Sequence, residues 1–389
     1  MIRRFAVLLP LLLSASLYAQ GEHPVLKAVP VDPDQIPSVD PTSQHVPPPD
    51  SPKPAPAKPL PAVPTAPTPP AADGKPTGDD AVRLQIFLDQ ALFGPGVIDG
   101  KPGHFADLAR QAWNEVHGNA LNDWLPVMDE ARKTVPNPFA VAIVPDVVKD
   151  WVDPTLPNDH PGQAKRKRMS YRSNTEFMAE RYHATEEFLA KLNPGKKLDN
   201  LQARDSLVVP NVQPFAIENL TGKKYDSDPQ LSQRHAVVDT KMNQVRIFEG
   251  SPAALVVSEK EADGVVKVSR PNRGLIASFP ITPGQPKFIK YGVWQLKSCL
   301  ELPYWRFDKS LLETGVRGSD SDSINIPPGP NSPVGILWAG LSHPGIGMHG
   351  TGEPETIGRA RSHGCIRLAN WDAIRLPTVI RPGATVEIR

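Results

Sequence analysis

Met348-His349-Gly350-Thr351-Gly352 and, ten residues on, Ser362-His363-Gly364-Cys365-Ile366-Arg367-Leu368 set one of the chain's two cysteines among histidines, glycines and a cation. A cysteine attacks as its thiolate, and a neighbouring imidazole or positive charge lowers its pKa into the working range. Cys365 is therefore the candidate nucleophile, with a histidine to take its proton and return it to a leaving group. His363, two residues earlier, shares a face with Cys365 on an extended strand. His349, 16 positions upstream, would come from a neighbouring strand across a loop. Gly364 removes a side chain beside the cysteine, so successive backbone N–H groups can face a developing oxyanion. Arg367 shares the parity of Cys365 and suits a carboxylate, or makes the site electropositive. The apolar run Pro333-Val334-Gly335-Ile336-Leu337-Trp338, with Ile366 and Leu368, reads as strand. A packed core edge with no chemistry would also carry that run, but it leaves the density of special residues unaccounted for.

Taken together, His349-Gly350-Thr351 and Ser362-His363-Gly364-Cys365-Ile366-Arg367 resemble the signature of the L,D-transpeptidase catalytic domain. That domain is a mainly β fold that cross-links or modifies peptidoglycan. The resemblance extends from His235-Ala236-Val237-Val238-Asp239 through Ile281-Thr282-Pro283-Gly284 to Thr385-Val386-Glu387-Ile388, and predicts a catalytic domain over residues 234–389. It implies that Cys365 attacks, His349 is the general base, and His363 neighbours the thiolate and helps orient the donor. It also implies that the Gly350 carbonyl orients the base, that the N–H groups of Gly364 and Cys365 line the oxyanion hole, and that Ser362 and Arg367 bind substrate. Arg317 to Pro333, polar and rich in proline, departs from the family pattern and bears on the shape of a substrate lid.

The implied reaction is a two-step acyl transfer from a tetrapeptide stem through a Cys365 thioester, without cofactor or metal. An L,D-carboxypeptidase, which resolves the thioester with water, carries the same residues. So does an enzyme that attaches a wall lipoprotein through a lysine. A peptidoglycan-binding structural protein with an inert catalytic domain is the non-enzymatic alternative.

The N-terminus points to export. Arg3 and Arg4, the apolar run from Phe5 to Leu13, and the small residues up to Ala19 read as a signal peptide over residues 1–19. Secretion across the inner membrane into the periplasm or cell wall is the expected localisation. Residues 20–78 read as a proline-rich linker, since positions 31–70 hold 15 of the chain's 46 prolines and no aromatic residue. Such composition favours extended conformers over a packed core.

Two modules are expected between linker and catalytic domain. Residues 79–160 read as a helical domain: Ala81 to Asp89 carries helical periodicity, and Phe93-Gly94-Pro95-Gly96-Val97-Ile98-Asp99-Gly100 is a glycine-rich turn before a second helix. The layout resembles the helical peptidoglycan-binding domain. Residues 168–214 resemble a LysM module, with a capped helix from Asn174, a second helix ending near Asn193-Pro194, and a closing strand Asp205-Ser206-Leu207-Val208-Val209-Pro210. Arg204 stands where that pattern has glycine, and Gln163 to Met169 obscures the opening strand. The basic run Lys165 to Arg168 suits a solvated face or an anionic wall polymer.

In a chain of 389 residues these patterns favour several modest domains over one core. The expected fold class is thus multidomain, with a helical domain, an α+β LysM-like module and a mainly β catalytic domain. The 43 basic and 42 acidic residues leave a formal charge of +1, which gives no bulk field for nucleic acid. No zinc-like ligand spacing appears. The expected partners are peptidoglycan stem peptides and glycan strands. Cys299, in an alternating segment, reads as a buried small residue on a strand.

Overall fold

Asp79 and Asp80 sit in the first turn of helix α1 (Gly78–Gln90), where carboxylates complement the helix dipole. Its buried residues Val82, Leu84, Ile86 and Leu88 pack with α2 (His104–His117) and α3 (Leu125–Thr134). The Gln85 side chain builds the glycine-rich turn. Its amide donates to the Val97 carbonyl at 3.1 Å and to Asp99 Oδ1 at 3.0 Å, and its oxygen accepts from the Gly100 N–H at 2.8 Å. The computed structural model describes residues 29–30, 74–250, 257–260, 266–269, 274–310, 319, 323–359 and 364–389. The expected signal peptide, most of the linker, Ser362 and His363 lie outside the described residues.

The middle module differs from its expected bounds. Strand β1 (Phe139–Ile143) pairs antiparallel with β2 (Ser206–Pro210), and α4 (Asn174–Arg181) and α5 (Glu186–Leu192) lie between them in sequence. The partner of the closing strand therefore comes from inside the 79–160 stretch, not from the segment before Met169. An intervening excursion over residues 144–170 separates β1 from the helices in sequence. Ser173 and Thr185 cap the two helices, accepting from the N–H groups of Glu176 and Phe188. Asn193 explains the Asn-Pro pattern: its amide donates to the carbonyls of Leu189 and Val208, and its oxygen accepts from the Val208 N–H at 2.9 Å. One buried side chain thus ties the end of α5 to β2.

Arg204, at the expected glycine position, takes a left-handed φ of 74°. The position demands the conformation glycine prefers, and a side chain there costs roughly 1 kcal/mol. Arg204 pairs with Asp146 on the surface at 3.1 Å, a contact worth little in water. Arg204→Gly is therefore expected to raise the unfolding midpoint slightly, and a fall in thermal melting would show that the ion pair dominates.

The C-terminal region is a curled sheet with strand order β11-β10-β9-β6-β12-β3-β4-β5. In chain order these strands are β3 (His235–Asp239), β4 (Gln244–Phe248), β5 (Leu275–Pro280), β6 (Gly292–Glu301), β9 (Leu337–Leu341), β10 (Gly347–His349), β11 (Ile366–Arg367) and β12 (Thr385–Ile388). A two-stranded arm, β7 (Trp305–Asp308) with β8 (Ser323–Ile326), stands apart. Strand β6 makes the curl. Its first half pairs with β12, its second half with β9, and its pairing with β9 breaks register between Leu296 and Ser298. The last strand, β12, pairs in parallel with β3, so the C-terminal end of the chain is held inside the sheet beside β3.

Three segments that composition suggests are separate share one continuous core. Its buried side chains run from Val82 and Trp113 through Phe177 and Leu207 to Phe279 and Trp371. Apolar faces that short modules cannot cover alone are covered by each other. Phe93 forms a parallel bridge to Ser278 on the edge strand β5, and Gly94 N–H donates to the Ser278 carbonyl at 2.7 Å. Arg246 on β4 pairs with Glu115 on α2 at 2.6 Å. Asp89 of α1 is fully buried and meets Arg375 at 2.7 Å and His183 at 3.1 Å. Burial alone would raise the Asp89 pKa, but the Arg375 guanidinium and His183 outweigh it and hold the carboxyl well below its usual range.

Part of the departure from Arg317 to Pro333 has a structural account. Residues 323–326 form β8, whose Ile326 clusters with Leu156 and Met169 of the middle module. Beyond it, Asn331 donates to the Ser170 carbonyl at 3.0 Å and to Glu176 at 2.7 Å. The described part of the stretch docks onto the neighbouring module.

Candidate active site

Strands β9, β10 and β11 line up three side chains in a row. The register sets Trp338 opposite His349, and His349 opposite Arg367. Met348 and Ile366 are fully buried on the core side, so alternation turns His349, Arg367 and Cys365 to the other face. Cys365 lies just before β11, level with Gly347, and its thiol meets the Gly345 carbonyl at 3.4 Å. A carboxyl-terminal neighbour, Leu368, donates its N–H to the His349 carbonyl at 2.8 Å, which locks the two strands at the site.

His349 is buried, with its ring stacked on Trp338 at a centroid distance of 5.7 Å. Its Nδ1 lies 2.7 Å from the Gly350 carbonyl. A carbonyl only accepts, so Nδ1 carries the proton and Nε2 keeps a lone pair, the tautomer of a base. The role that the resemblance implies for Gly350 requires this contact. A Cβ on Gly350 would come within 2.2 Å of Asn370 Oδ1, so no larger residue fits.

Electrostatics correct one expectation. Cys365 was expected to have a lowered pKa, but burial pushes its thiol up to about 11, against weaker pulls from the Gly347 backbone and the Arg367 charge. The thiol keeps partial access to solvent while the surrounding protein strips most of its hydration. Burial likewise pushes His349 down to about 4, with the Gly350 carbonyl opposing and Arg367 adding to the fall. At neutral pH the pair rests as thiol and neutral imidazole, not as an ion pair. That the Arg367 charge acts on both groups places all three in one locality.

Arg367 is anchored through its backbone, exchanging two hydrogen bonds with Thr282 at 2.9 and 3.0 Å. Its buried Nε has no hydrogen-bond partner among the described residues. Gly284, two residues beyond Thr282, approaches the nucleophile's own backbone. A Cβ there would stand 2.6 Å from Gly364 Cα. Gly284→Ala is expected to push the Gly364–Cys365 backbone out of place, costing about 1–3 kcal/mol of stability. It should also slow Cys365 acylation by about tenfold or more. An unchanged acylation rate in a folded variant would show that the backbone absorbs the methyl without moving the thiol.

The structure thus brings together Cys365, His349, Gly350, Gly364 and Arg367, while Ser362 and His363 lie outside the described residues. Trp338, Thr282, Gly284 and Asn370 also build the site. Of these, the Thr282-Pro283-Gly284 stretch and the strand carrying Trp338 are visible in the sequence, but nothing local gives either a part in the chemistry. Cys299 is buried on β6, as expected, and burial pushes its thiol up to about 12. Neither cysteine forms a disulfide. The basic run is partly engaged within its own module: Arg166 pairs with Asp153 at 3.5 Å and Arg168 lies 4.2 Å over the Trp151 ring. A cleft of about 410 Å³ opens there, and another of about 390 Å³ lies beside Trp124 with Met242 on its rim; Cys365 lines neither.

Residues 254–388 match the family model of the L,D-transpeptidase catalytic domain. A putative L,D-transpeptidase YkuD of Bacillus licheniformis is 42% identical over 65 residues, covering 17% of this chain and 39% of that protein. Its Bacillus subtilis counterpart is 43% identical over 65 residues, covering 17% of this chain and 40% of its own length. The chain therefore spans about two fifths of the curated relatives it matches. Among solved structures, L,D-transpeptidase 3 from Mycobacterium tuberculosis in complex with a faropenem-derived adduct shares 16% identity at a TM-score of 0.28. The match covers 49% of this chain and 76% of that one. An L,D-transpeptidase from Mycobacterium smegmatis gives 16% identity and a TM-score of 0.27 over 40% of this chain and 58% of that one. Residues 254–388, which contain both His349 and Cys365, are thus similar in sequence to the L,D-transpeptidase catalytic domain.

Proposed function

We propose that the protein is an exported L,D-transpeptidase that forms peptidoglycan cross-links. One observation carries the reading: within the matched segment, His349 holds its proton on Nδ1 against Gly350, which leaves Nε2 as the acceptor, and it shares a sheet face with Cys365. In the first half-reaction, Cys365 Sγ attacks the carbonyl carbon that precedes the terminal D-amino acid of a tetrapeptide stem. The thiol proton passes to His349 Nε2 as the C–S bond forms. Backbone N–H groups around Gly364 and Cys365 receive the oxyanion. Collapse breaks the C–N bond, and His349 returns the proton to the departing amine. In the second half-reaction the side-chain amine of a diamino acid in a neighbouring stem attacks the thioester, gives its proton to His349, and the thiol is restored with it.

Because thiol and imidazole rest neutral, proton transfer accompanies attack instead of preceding it. Arg367, with an unpartnered Nε among the described residues, is suited to a stem carboxylate; by the resemblance, Ser362 would bind substrate and His363 would neighbour the thiolate. The helical and LysM-like segments serve to hold glycan strands, and the work is done in the periplasm or cell wall.

The test is incubation of residues 20–389 with disaccharide-tetrapeptides, followed by mass spectrometry of enzyme and products. Loss of terminal D-alanine with a dimer appearing supports the proposal. Tripeptide alone would make the protein a carboxypeptidase, and transfer only to a lipoprotein lysine would make it an attachment enzyme. No adduct and no product from folded, reduced protein would leave a wall-binding scaffold.

A further inference from the structure

Beyond His349 and Gly350 lies a buried polar chain that leads out of the catalytic region. Asn370, fully buried at the start of the short helix α6 (Asn370–Ala373), accepts at Oδ1 from the Ile336 N–H at 3.2 Å. The same oxygen is walled in by two glycines. A Cβ on Gly335 would come within 2.3 Å of it, and one on Gly350 within 2.2 Å. Gly335 has a φ of 58° and would meet the Gly350 backbone as well. Asn370 therefore presses directly on the residue whose carbonyl holds His349.

The other end of the amide faces a different module. Nδ2 donates to Glu180 Oε1 at 2.8 Å and to the Pro330 carbonyl at 3.1 Å. Glu180 lies on α4 and is itself buried, with its second oxygen accepting from the Tyr171 hydroxyl. Next along, Trp371 stacks on His183 at a centroid distance of 5.1 Å, and Arg375 grips Asp89. Residues 370–375 thus contact both accessory modules while touching the loop behind the base.

We propose that Asn370 is a positioning residue for the catalytic base, and that Glu180 of the middle module holds it in place. The proposal rests on the reading of His349 as the base. An amide with both ends bonded has one rotamer, and one rotamer sets one position for the Gly350 carbonyl. The accessory module then acts on the chemistry as well as on the wall polymer. Burial pushes the Glu180 carboxyl up to about 8, which makes glutamine a close mimic of it in charge near neutrality.

Full-length N370A, E180L and E180Q are to be compared with the wild type. Three readouts are needed: the maximal rate and half-saturation of Cys365 acylation by a carbapenem, Cys365 alkylation by iodoacetamide, and thermal melting. N370A and E180L should lower the maximal acylation rate by about tenfold to a hundredfold, the scale of a small misplacement, with half-saturation unchanged. E180Q keeps an acceptor for Asn370 Nδ2 and should stay near the wild type. In E180L, alkylation should be slow at neutral pH and converge with the wild type at alkaline pH, where the thiolate forms without a base. E180L that melts earlier but reacts at the wild-type rate while folded would overturn the proposal. So would E180Q falling as far as E180L. Should wild-type Cys365 resist the carbapenem altogether, the transpeptidase reading fails, and alkylation of the same variants still decides the role of Asn370.

Discussion

Cys365→Ala is expected to abolish acyl transfer completely while leaving the fold intact. Its thiol meets the Gly345 carbonyl at 3.4 Å in a weak contact, worth no more than about 1 kcal/mol. No second thiol can take over. Cys299 is 1% exposed within β6, and burial holds it protonated up to about pH 12. Intact-mass analysis with a carbapenem or a tetrapeptide donor should show one adduct on the wild type, the same on Cys299→Ala, and none on Cys365→Ala. An adduct on the last would move the nucleophile elsewhere and sink the mechanism.

The second large effect is at His349. Replacement by alanine should slow acylation by about 10² to 10⁴-fold, the usual contribution of a positioned base. The loss should be greatest where it matters, near neutral pH, because a thiol pushed up to about 11 has almost no thiolate of its own there. The sign of the pH dependence follows from the downward shift of the imidazole. His349 accepts a proton only when neutral, so the wild-type rate falls as pH drops through about 4, with no step at the ordinary imidazole value. The variant should instead rise steadily with pH as hydroxide replaces the base. A wild-type profile with a step near 6 to 7 would mean that the imidazole is far better solvated than its place behind Trp338 implies.

Much of the site is legible in the sequence because its parts are local. His349 ends β10 and Cys365 immediately precedes β11, and alternation turns both to one face once these strands pair. What escaped is what depends on distant partners. Asn370 carries no motif of its own, and its part emerges only when Gly335, Gly350 and Glu180 converge on it. The direction of the Cys365 shift escapes local reading for the same reason, since desolvation comes from the whole surrounding fold and outweighs a neighbouring cation. In the accessory modules, the Gln85 turn, the Asn193 clamp and the left-handed position at Arg204 follow from local patterns. The pairing of β1 with β2 does not, because a long excursion separates them and nothing in Phe139 to Ile143 names its partner.

The bridge between Phe93 and Ser278 has a consequence for any shortened form of the protein. Strand β5 ends the sheet, and its outer backbone groups are satisfied by Leu92 and Gly94 of the helical module. A fragment that starts at the matched segment would lose that cover along with β3 and β4, leaving ragged strands able to recruit their own kind. Such a fragment should precipitate or form sheet-paired oligomers where the longer chain stays monodisperse. The boundary a family match draws is then narrower than the unit that keeps the protein from sticking to itself.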